Sequence, residues 1–321
     1  MFLRNVSRLA IIGKVSMEEV REMKIAISGG TGLIGKKLCD LLKARGDEVI
    51  VLTRGESKFE ENIQYIKWLG EEKPEQALEG IDAFVNLAGV SLNDGRWTEE
   101  RKRAIYNSRM ETTDEVLRII ENLKIKPQVL INASAVGIYP ASTSAIYTEQ
   151  CNELATDFLG KVVTDWEQKA NRATELGVRV CFARLGVVLG KEAGALPLVV
   201  LPYQLFVGGT IGSGEQWLSW IHVDDVCGAI LHAIEHTELK GPINLTSPNA
   251  KRMKQFGKIV GQALNRPHWL PVPSFALKLA LGEKSQLVLE GQYVVPEKLL
   301  QSRYQFKFPS LEDAIIDLYN D

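Results

Sequence analysis

The hydrophobic residues divide most of the chain into short buried runs and longer amphipathic segments. Helical patterns occupy residues 36–45, 99–123, 157–175 and 223–236. Short runs rich in β-branched residues lie around these patterns: "KIAISG", "EVIVLTR", "IQYIKWL", "DAFVNLAG", "QVLINASA", "RVCFARLG" and "PINLTS". This alternation predicts parallel α/β units. Because several runs are apolar throughout, we expect a doubly wound sheet covered by helices on both faces.

The pattern also predicts how the chain is organised along its length. After "NLTSPN" it becomes mostly helical, interrupted by the extended "PHWLPVPS". We therefore expect a Rossmann-type domain over residues 23–248, which includes part of the substrate side, and a smaller, mainly helical lobe over 249–321. Residues 1–22 precede the first clear strand, and we interpret them as an extension upstream of a core that begins near Met23.

Composition narrows the classes of partner. The chain has 321 residues and a formal net charge of −2, so it has no global basic field for nucleic acid or an anionic membrane. Its longest apolar stretches are broken well before the ~20 residues that a membrane span needs. The four cysteines are scattered singly, which predicts neither a zinc site nor a disulfide framework. We expect a cytoplasmic protein whose partner is a small molecule.

The stretch "SGGTGLIG" between the first strand and the first helix predicts a nucleotide-binding turn. Glycines at 29, 32 and 35 have the spacing at which the chain turns tightly, approaches a pyrophosphate and packs its helix against the strand. The helix N-terminus then offers free N–H groups to the phosphates. Such turns also occur for packing alone, but this position between a strand and a helix favours a cofactor. The candidate contacts are Gly29, Thr31, Gly32, Leu33 and Ile34.

The end of the second strand indicates which dinucleotide is bound. NAD-binding folds usually have an acid there to bind the ribose 2′-hydroxyl, whereas this chain has Thr53 and Arg54. A guanidinium can bind a 2′-phosphate through two hydrogen bonds. The sequence therefore favours NADP, and the alternative is a solvated arginine at a strand end.

Several motifs together resemble the extended short-chain dehydrogenase/reductase superfamily. They are "SGGTGLIG", "NLAG", "ASAVGIYP", "RLGVVLG" and "WLSWIHVDDV". The chain is most similar to the atypical, epimerase-like branch, whose C-terminal domain of unknown function matches "GQALNRPHWLPVPS" and "VLEGQYVVPEKLL". The resemblance extends over nearly all of residues 23–321.

The resemblance implies further cofactor contacts across the strand ends. It implies that Leu87, Ala88 and Gly89 line the cofactor, and that the backbone near Val187 faces the nicotinamide carboxamide. Arg109, in "NSRMETT", lies on the helix that borders the cofactor in the superfamily. It is a second candidate phosphate or ribose contact. Helices of this superfamily often form dimer faces, so by analogy we expect a homodimer.

The catalytic signature of the superfamily is absent. Its enzymes use Tyr-x-x-x-Lys on one helix face, where the ammonium lowers the phenol pKa, but no tyrosine here has a lysine four residues later. "DFLGK" stands at the expected place, so Asp157 and Lys161 are candidate replacements. The alternative is an ordinary surface ion pair. Ser134 is the candidate catalytic hydroxyl, one residue out of register if Tyr139 anchors the motif.

The predicted substrate side lacks the charge that a nucleotide sugar requires. No Lys or Arg occurs from Glu192 to Leu239, although a buried diphosphate needs a paired cation. Arg184, Lys191 or Arg252 could reach in from outside that segment. We expect an apolar pocket with Tyr139, Trp217 and Trp220 as candidate substrate contacts. His232 and His236 are spaced like metal ligands but lack a third ligand, so no metal is predicted.

Two hypotheses follow. In the first, the chain is an NADP-dependent oxidoreductase or epimerase-like enzyme that acts on an unknown small molecule with an unusual proton donor. In the second, it is a non-catalytic NADPH-binding sensor or scaffold. The missing tyrosine favours the second hypothesis. The substrate-side segment and the added lobe favour the first.

Overall fold

The computed structural model describes residues 21–70 and 72–319. The predicted N-terminal extension therefore lies, up to residue 20, outside the described residues. The first half of the chain forms these elements: β1 (Lys24–Ser28), α1 (Leu33–Arg45), β2 (Glu48–Thr53), β3 (Lys58–Glu60), β4 (Ile63–Lys67), α2 (Glu75–Leu78), β5 (Ala83–Asn86), α3 (Glu99–Asn122), β6 (Val129–Ala135), β7 (Ile146–Tyr147) and α4 (Phe158–Asn171).

The second half adds shorter elements around the last two strands of the main sheet. They are β8 (Arg179–Leu185), β9 (Val187–Leu189), α5 (Leu196–Gln204), β10 (Trp217–Leu218), β11 (Trp220–His222), α6 (Val223–Glu235), β12 (Gly241–Leu245), β13 (Lys251–Arg252), α7 (Met253–Ala263), α8 (Ser274–Leu281), α9 (Gln286–Leu289), β14 (Tyr293–Val294), α10 (Glu297–Gln301) and α11 (Leu311–Tyr319). Single 3₁₀ turns lie at Val136–Ile138, Arg172–Leu176 and Gly282–Ser285.

The main sheet has eight strands in the order β12-β8-β6-β5-β1-β2-β4-β3. All neighbours pair in parallel except the edge strand β3, which is antiparallel to β4. The strand order reverses between β1 and β5, which pair directly, and such a reversal opens a crevice at the carboxyl ends of the strands. All seven predicted strands are present, and the predicted Rossmann-type, doubly wound sheet is confirmed.

Alternate residues of the strands bury two separate hydrophobic layers. Ile25 and Ile27 of β1 face α1 and α6, whereas Ala26 faces the layer that contains residues of α3 and α4. Side chains of a strand alternate between its two faces, so a sheet with helices on both sides needs apolar residues at nearly every position. This is why the central strands read as continuous apolar runs.

The C-terminal region is mainly helical, as predicted, and packs against the sheet domain at several points. Helix α11 packs on α7, and β14 pairs with β7 of the first half. The buried carboxylate of Asp225 on α6 accepts hydrogen bonds from the backbone N–H groups of Lys307 (2.6 Å) and Phe308 (2.9 Å). These contacts hold the C-terminal residues against the end of the sheet where β5, β6 and β8 finish.

The predicted helix boundaries differ from the structure mainly at helix starts and ends. Helix α1 begins at Leu33 rather than at residue 36, because Gly32 is its N-cap. Helix α4 ends at Asn171 and continues only as a 3₁₀ turn. Helices α2 and α5 and the strands of two or three residues were not predicted from the sequence, and all of these strands except β3 pair with distant segments. Among the described residues, no helix is both long and apolar enough to cross a bilayer.

Candidate functional site

The glycine turn is shaped to receive an anion at the start of α1. Gly29 has a φ of +75°, and a Cβ there would lie 2.7 Å from the backbone carbon of Leu87. A Cβ at Gly35 would lie 2.3 Å from the oxygen of Gly29, so Gly35 lets helix and strand pack closely. At Gly32 the nearest atom would be 3.4 Å away, which leaves this side of the turn open. No acid lies in the first turn of α1, so its positive end is not neutralised.

The end of β2 holds an exposed guanidinium, that of Arg54. Thr53 Oγ1 accepts a hydrogen bond from the N–H of Gly55 at 3.1 Å, which closes a tight turn around Arg54. Arg54 is exposed, and within residues 21–70 and 72–319 no carboxylate pairs with it. Because β2 lies next to β1, this cation stands beside the glycine turn.

Arg109 is a second cation without a carboxylate partner in the described chain. Its Nη1 donates to the backbone oxygens of Ile105 (2.9 Å) and Val90 (3.3 Å), and its Cζ lies 5.1 Å from the ring centre of Trp166. Burial, reinforced by the nearby charge of Arg101, lowers the pKa of the Arg109 guanidinium to about 10. A buried cation is costly without a counter-charge, so this position suits an anionic or strongly polar ligand.

A cavity of about 370 Å³ opens beside these groups at the carboxyl ends of β5, β6 and β8. Leu87, Ala88, Gly89 and Arg109 line one side, and Val187 lines another. The C-terminal region closes it with residues 286, 287 and 290–292. Here a Cβ on Gly291 would lie 1.8 Å from the oxygen of Trp217, so only glycine fits. The sequence analysis did not name Gln286, Glu290 or Gln292 as site residues. The motif "VLEGQYVV" was the available signal.

Helix α4 presents an apolar pair to the cavity where a catalytic pair was expected. Leu159 and Val163, four residues apart, both line the cavity. Asp157 also lines it, but it is the N-cap of α4, and its carboxylate accepts from the N–H of Gly160 at 2.7 Å. Lys161 is exposed and is not part of the wall. Two residues along a helix amount to more than half a turn, so Lys161 lies on another face. The structure supports neither its proposed catalytic place nor a surface ion pair with Asp157.

Ser134 lies at the cavity wall but uses its hydroxyl in a buried network. Its Oγ donates to Glu167 Oε1, and Arg184 donates to both oxygens of Glu167 at 2.8 Å. The ionised carboxylate can only accept, so Ser134 has no proton left to donate to a ligand carbonyl. The next residue, Ala135, also lines the cavity and has no hydroxyl. The structure thus leaves this strand end without a free hydroxyl donor.

Two of the three expected substrate contacts are fully buried away from the cavity. Tyr139 is 0% exposed, and its hydroxyl donates to Asn244 Oδ1 at 2.9 Å and accepts from Arg184 at 2.8 Å. Trp220 is also 0% exposed and packs in the core formed with α5, α7 and α11. Both side chains pack in the core and make internal hydrogen bonds. The predicted direct contact of Tyr139 and Trp220 with a substrate is therefore wrong.

Trp217 does line the cavity. Its ring contacts the guanidinium of Arg252, 3.8 Å from the ring centre, and the ring of Tyr293, whose centre is 4.6 Å away. Its Nε1 donates to the oxygen of Thr143 at 3.1 Å.

The described ranges contain no group of three potential metal ligands. The His232 ring packs on His236, and its Nε2 is hydrogen-bonded to Ser302 Oγ.

The fold and site define a Rossmann-type dinucleotide-binding protein, and comparison with known proteins identifies the family. The profile of the NAD dependent epimerase/dehydratase family matches residues 25–245, and a domain of unknown function, DUF1731, matches residues 272–318. The chain belongs to this epimerase family. It is 46% identical to the epimerase family protein YfhF of Bacillus subtilis over 301 residues, which cover 93% of this chain and 99% of that protein. An epimerase family protein of Staphylococcus saprophyticus is 41% identical, over 91% of this chain and 98% of its own length.

Solved structures give the same assignment. The crystal structure of human epimerase family protein SDR39U1 with NADPH superposes with a TM-score of 0.86 at 34% identity, covering 93% of this chain and all of that one. UDP-glucuronic acid 4-epimerase from Bacillus cereus, with UDP-glucuronic acid and NAD, matches with a TM-score of 0.76 at 17% identity over 93% of this chain and 98% of that one. The second similarity concerns the fold alone. A nicotinamide dinucleotide cofactor is thereby supported for this fold.

Proposed function

We propose that this protein binds NADP(H) and, beside the nicotinamide, a small apolar molecule, without the tyrosine–lysine proton relay of its superfamily. The observation that carries the proposal is the pair Leu159 and Val163, which lies at the relay spacing on the cavity face of α4. Apolar side chains can neither donate nor accept a proton. A ligand-binding or sensing role therefore fits the site better than carbonyl reduction or epimerisation.

The choice of NADP rests on charge at the end of β2. The cofactor, when bound, would supply a hydride at its nicotinamide. In the proposal, the N–H groups at the start of α1, from Leu33 onward, and the open side of Gly32 receive the pyrophosphate. Arg54 binds the 2′-phosphate, and Thr53 shapes its turn. The human relative, whose structure holds NADPH, supports the same choice.

Arg109 is the second cation of the proposed cofactor site and lies further inside it than Arg54. It is largely buried, it presses against Gly89, and a Cβ on that glycine would lie 3.2 Å from the Arg109 Cζ. We assign it to an anionic or polar group of the cofactor, in line with the sequence analysis. Its lowered pKa is consistent with a buried cation that has no counter-charge among the described residues.

A nucleotide sugar does not suit the cavity, because Arg109 is assigned to the cofactor in this proposal and Arg184 and Arg252 are engaged elsewhere. Arg184 is neutralised by Glu167. Arg252 lies behind Trp217 and donates to the backbone oxygens of Glu215 and Thr143. Leu92, Leu159, Val163 and Leu287 make much of the wall apolar. We therefore propose a ligand without a diphosphate.

An oxidoreductase remains the second candidate, and two carboxylates at the cavity favour it. Asp157 and Glu290 both line the wall, and either could exchange a proton with solvent. In this version of the proposal, proton transfer would pass through a carboxylic acid rather than a phenol.

Titration calorimetry of the purified chain with NADPH and NADH tests the proposal. We expect tighter binding of NADPH, and no steady NADPH oxidation with simple ketones or aldehydes. Turnover that is abolished by Glu290→Gln, with unchanged NADPH affinity, would favour the oxidoreductase instead. Absence of binding to either dinucleotide would refute both candidates.

We also propose a cellular compartment and an oligomeric state for this protein. All four cysteines are unpaired thiols, which suits a reducing, cytoplasmic compartment. No nucleic acid is expected as a partner, because the net charge is slightly negative. A homodimer is proposed by analogy with the superfamily, and light scattering of the purified chain would test it.

A further inference from the structure

Helix α5 presents an uncovered apolar surface. It buries Leu196, Val200 and Tyr203 on one side. On the opposite side Leu198 and Leu201 are exposed, and the exposed stripe continues past the end of the helix to Phe206, which is 54% exposed. In a helix of a folded domain, one apolar stripe normally suffices to bury it against the core. The second stripe therefore has no partner within the described chain.

A second exposed apolar segment joins the first. Trp269 is 64% exposed, and its Nε1 donates to the oxygen of Phe206 at 2.8 Å. The following helix, α8, has no buried residue, and its Phe275 and Leu279 are 74% and 79% exposed. We define the apolar face as the exposed large hydrophobic side chains of residues 198–207 and 269–279. These ranges hold nine of the sixteen such side chains in the described residues, so the exposure is concentrated rather than scattered.

The chain segments that carry the apolar face contain basic side chains and no acidic ones, and Glu192, Glu215 and Glu283 lie just outside these segments. Residues 193–214 contain no charged side chain, and residues 251–282 contain six Lys or Arg and no Asp or Glu. Arg266 lies on the face itself, with its Cζ 4.5 Å from the ring centre of Phe206. Burial lowers the pKa of His268, the neighbour of Trp269, and the nearby charges of Lys258 and Lys254 on α7 lower it further. Lys278 is exposed on α8 between Phe275 and Leu279.

We propose that the apolar face docks on the surface of a bilayer that contains acidic phospholipids. Exposed aromatic and aliphatic side chains beside basic ones are what an interfacial segment needs, since the former enter the headgroup boundary and the latter attract anionic lipid. Helices α5 and α8 have nine and eight residues, too few to span a bilayer. The contact is therefore with its surface.

The same charges disfavour a second copy of this chain as the occupant. A two-fold interface brings each patch against itself, so Arg266, Lys254 and Lys258 of one copy would be brought close to the same residues of the other. The net charge of −2 led us to expect no membrane partner. Net charge is a sum over the whole surface, whereas a bilayer interacts electrostatically mainly with charges within about 10 Å of it, because salt screens the more distant ones.

Vesicle co-sedimentation of the full chain tests this proposal. Vesicles are made of phosphatidylcholine alone, or of phosphatidylcholine with a minority of phosphatidylglycerol. We expect binding to the second kind only, and its loss near 1 M salt, where the screening length is about 3 Å. The triple variant Lys254→Gln, Lys258→Gln, Arg266→Gln should weaken binding roughly 100-fold, at about 1 kcal/mol per basic residue. The matched control changes exposed basic residues elsewhere: Arg103→Gln, Lys124→Gln, Lys240→Gln.

The apolar contribution is tested separately. Leu201→Ser with Leu205→Ser should reduce binding at least 10-fold, whereas Phe59→Ser with Ile125→Ser, at exposed apolar positions elsewhere, should not. NADPH affinity should be unchanged in every variant, which shows that each one is folded and separates this test from that of the cofactor. Absence of binding, equal binding to neutral vesicles, or equal loss in the controls would overturn the proposal. So would light scattering that shows a dimer which the Leu201 and Leu205 changes dissociate.

Discussion

The two ends of the proposed binding site, the glycine turn with Arg54 and the cavity face of α4, differ in the chemical groups that they present. At the proposed cofactor end, the glycine turn, a helix start without a side-chain cap and Arg54 offer backbone N–H groups and a cation to an anion. At the other end, Leu159 and Val163, which have the four-residue spacing of the relay, line the cavity. The first set works through backbone shape and fixed charge, whereas a proton relay requires particular side chains. A fold can therefore retain dinucleotide binding while losing the chemistry that usually accompanies it.

The largest expected effect is at the glycine turn. Gly32→Val should reduce NADPH affinity by more than 100-fold, because the side chain would enter the space where the pyrophosphate approaches the backbone. The fold should survive, since the nearest atom to a Cβ there is 3.4 Å away. Gly35→Val is the contrasting variant: its Cβ would lie 2.3 Å from Gly29 O, so it should lose stability as well. Calorimetry and thermal melts measure both, and unchanged affinity in a folded Gly32→Val variant would make the turn purely structural.

A large effect on stability is expected at the other end of the proposed site. Glu167→Gln leaves the charge of Arg184 buried without a counter-charge, and should cost about 3–5 kcal/mol of unfolding free energy. Glu115→Gln, which disrupts the more exposed pair with Arg118, should cost roughly 1 kcal/mol or less. Urea denaturation compares them. Similar small losses in both would mean that the network around Ser134 is not a structural one.

Arg54 tests the cofactor end without disturbing the fold. Arg54→Ala should weaken NADPH binding by about 1–3 kcal/mol, the value of a charge-assisted hydrogen bond. NADH affinity should stay the same, because NADH has no 2′-phosphate. Arg103→Ala, at another exposed arginine, is the control. Equal loss of both dinucleotides would contradict the proposed contact.

The smallest effects distinguish Asp157 from Lys161. Asp157→Ala should lose about 1 kcal/mol of stability through its N-cap on α4, and Asp157→Asn should recover most of it. Lys161→Ala should change stability by only a few tenths of a kcal/mol, as at other exposed sites. Neither change should alter NADPH affinity. A marked loss of NADPH affinity in Lys161→Ala would place this lysine at the cofactor after all.

The sequence predicted the fold well because its signals are local. Apolar runs and their turns marked all seven predicted strands, and the spacing of Gly29, Gly32 and Gly35 located the turn. The site was predicted less well. The positions of Tyr139 and Trp220 along the chain predict substrate contacts, but both side chains are buried in the core. Asp157 and Lys161 have the expected four-residue spacing. The pair that faces the cavity, Leu159 and Val163, has the same spacing but lies two residues further along the helix.

The sequence by itself determined the order of strands and helices, the glycine turn and the cation at the end of β2. Each of these depends on neighbours in the chain, since backbone periodicity and turn geometry act over a few residues. Only the tertiary structure decided which face of α4 meets the cavity, that the Ser134 hydroxyl donates its hydrogen bond to Glu167, and that residues 286, 287 and 290–292 close the wall. It also gathered the apolar side chains of two distant segments on one surface. Side-chain direction and long-range packing fix these features, and neither can be read from spacing along the chain.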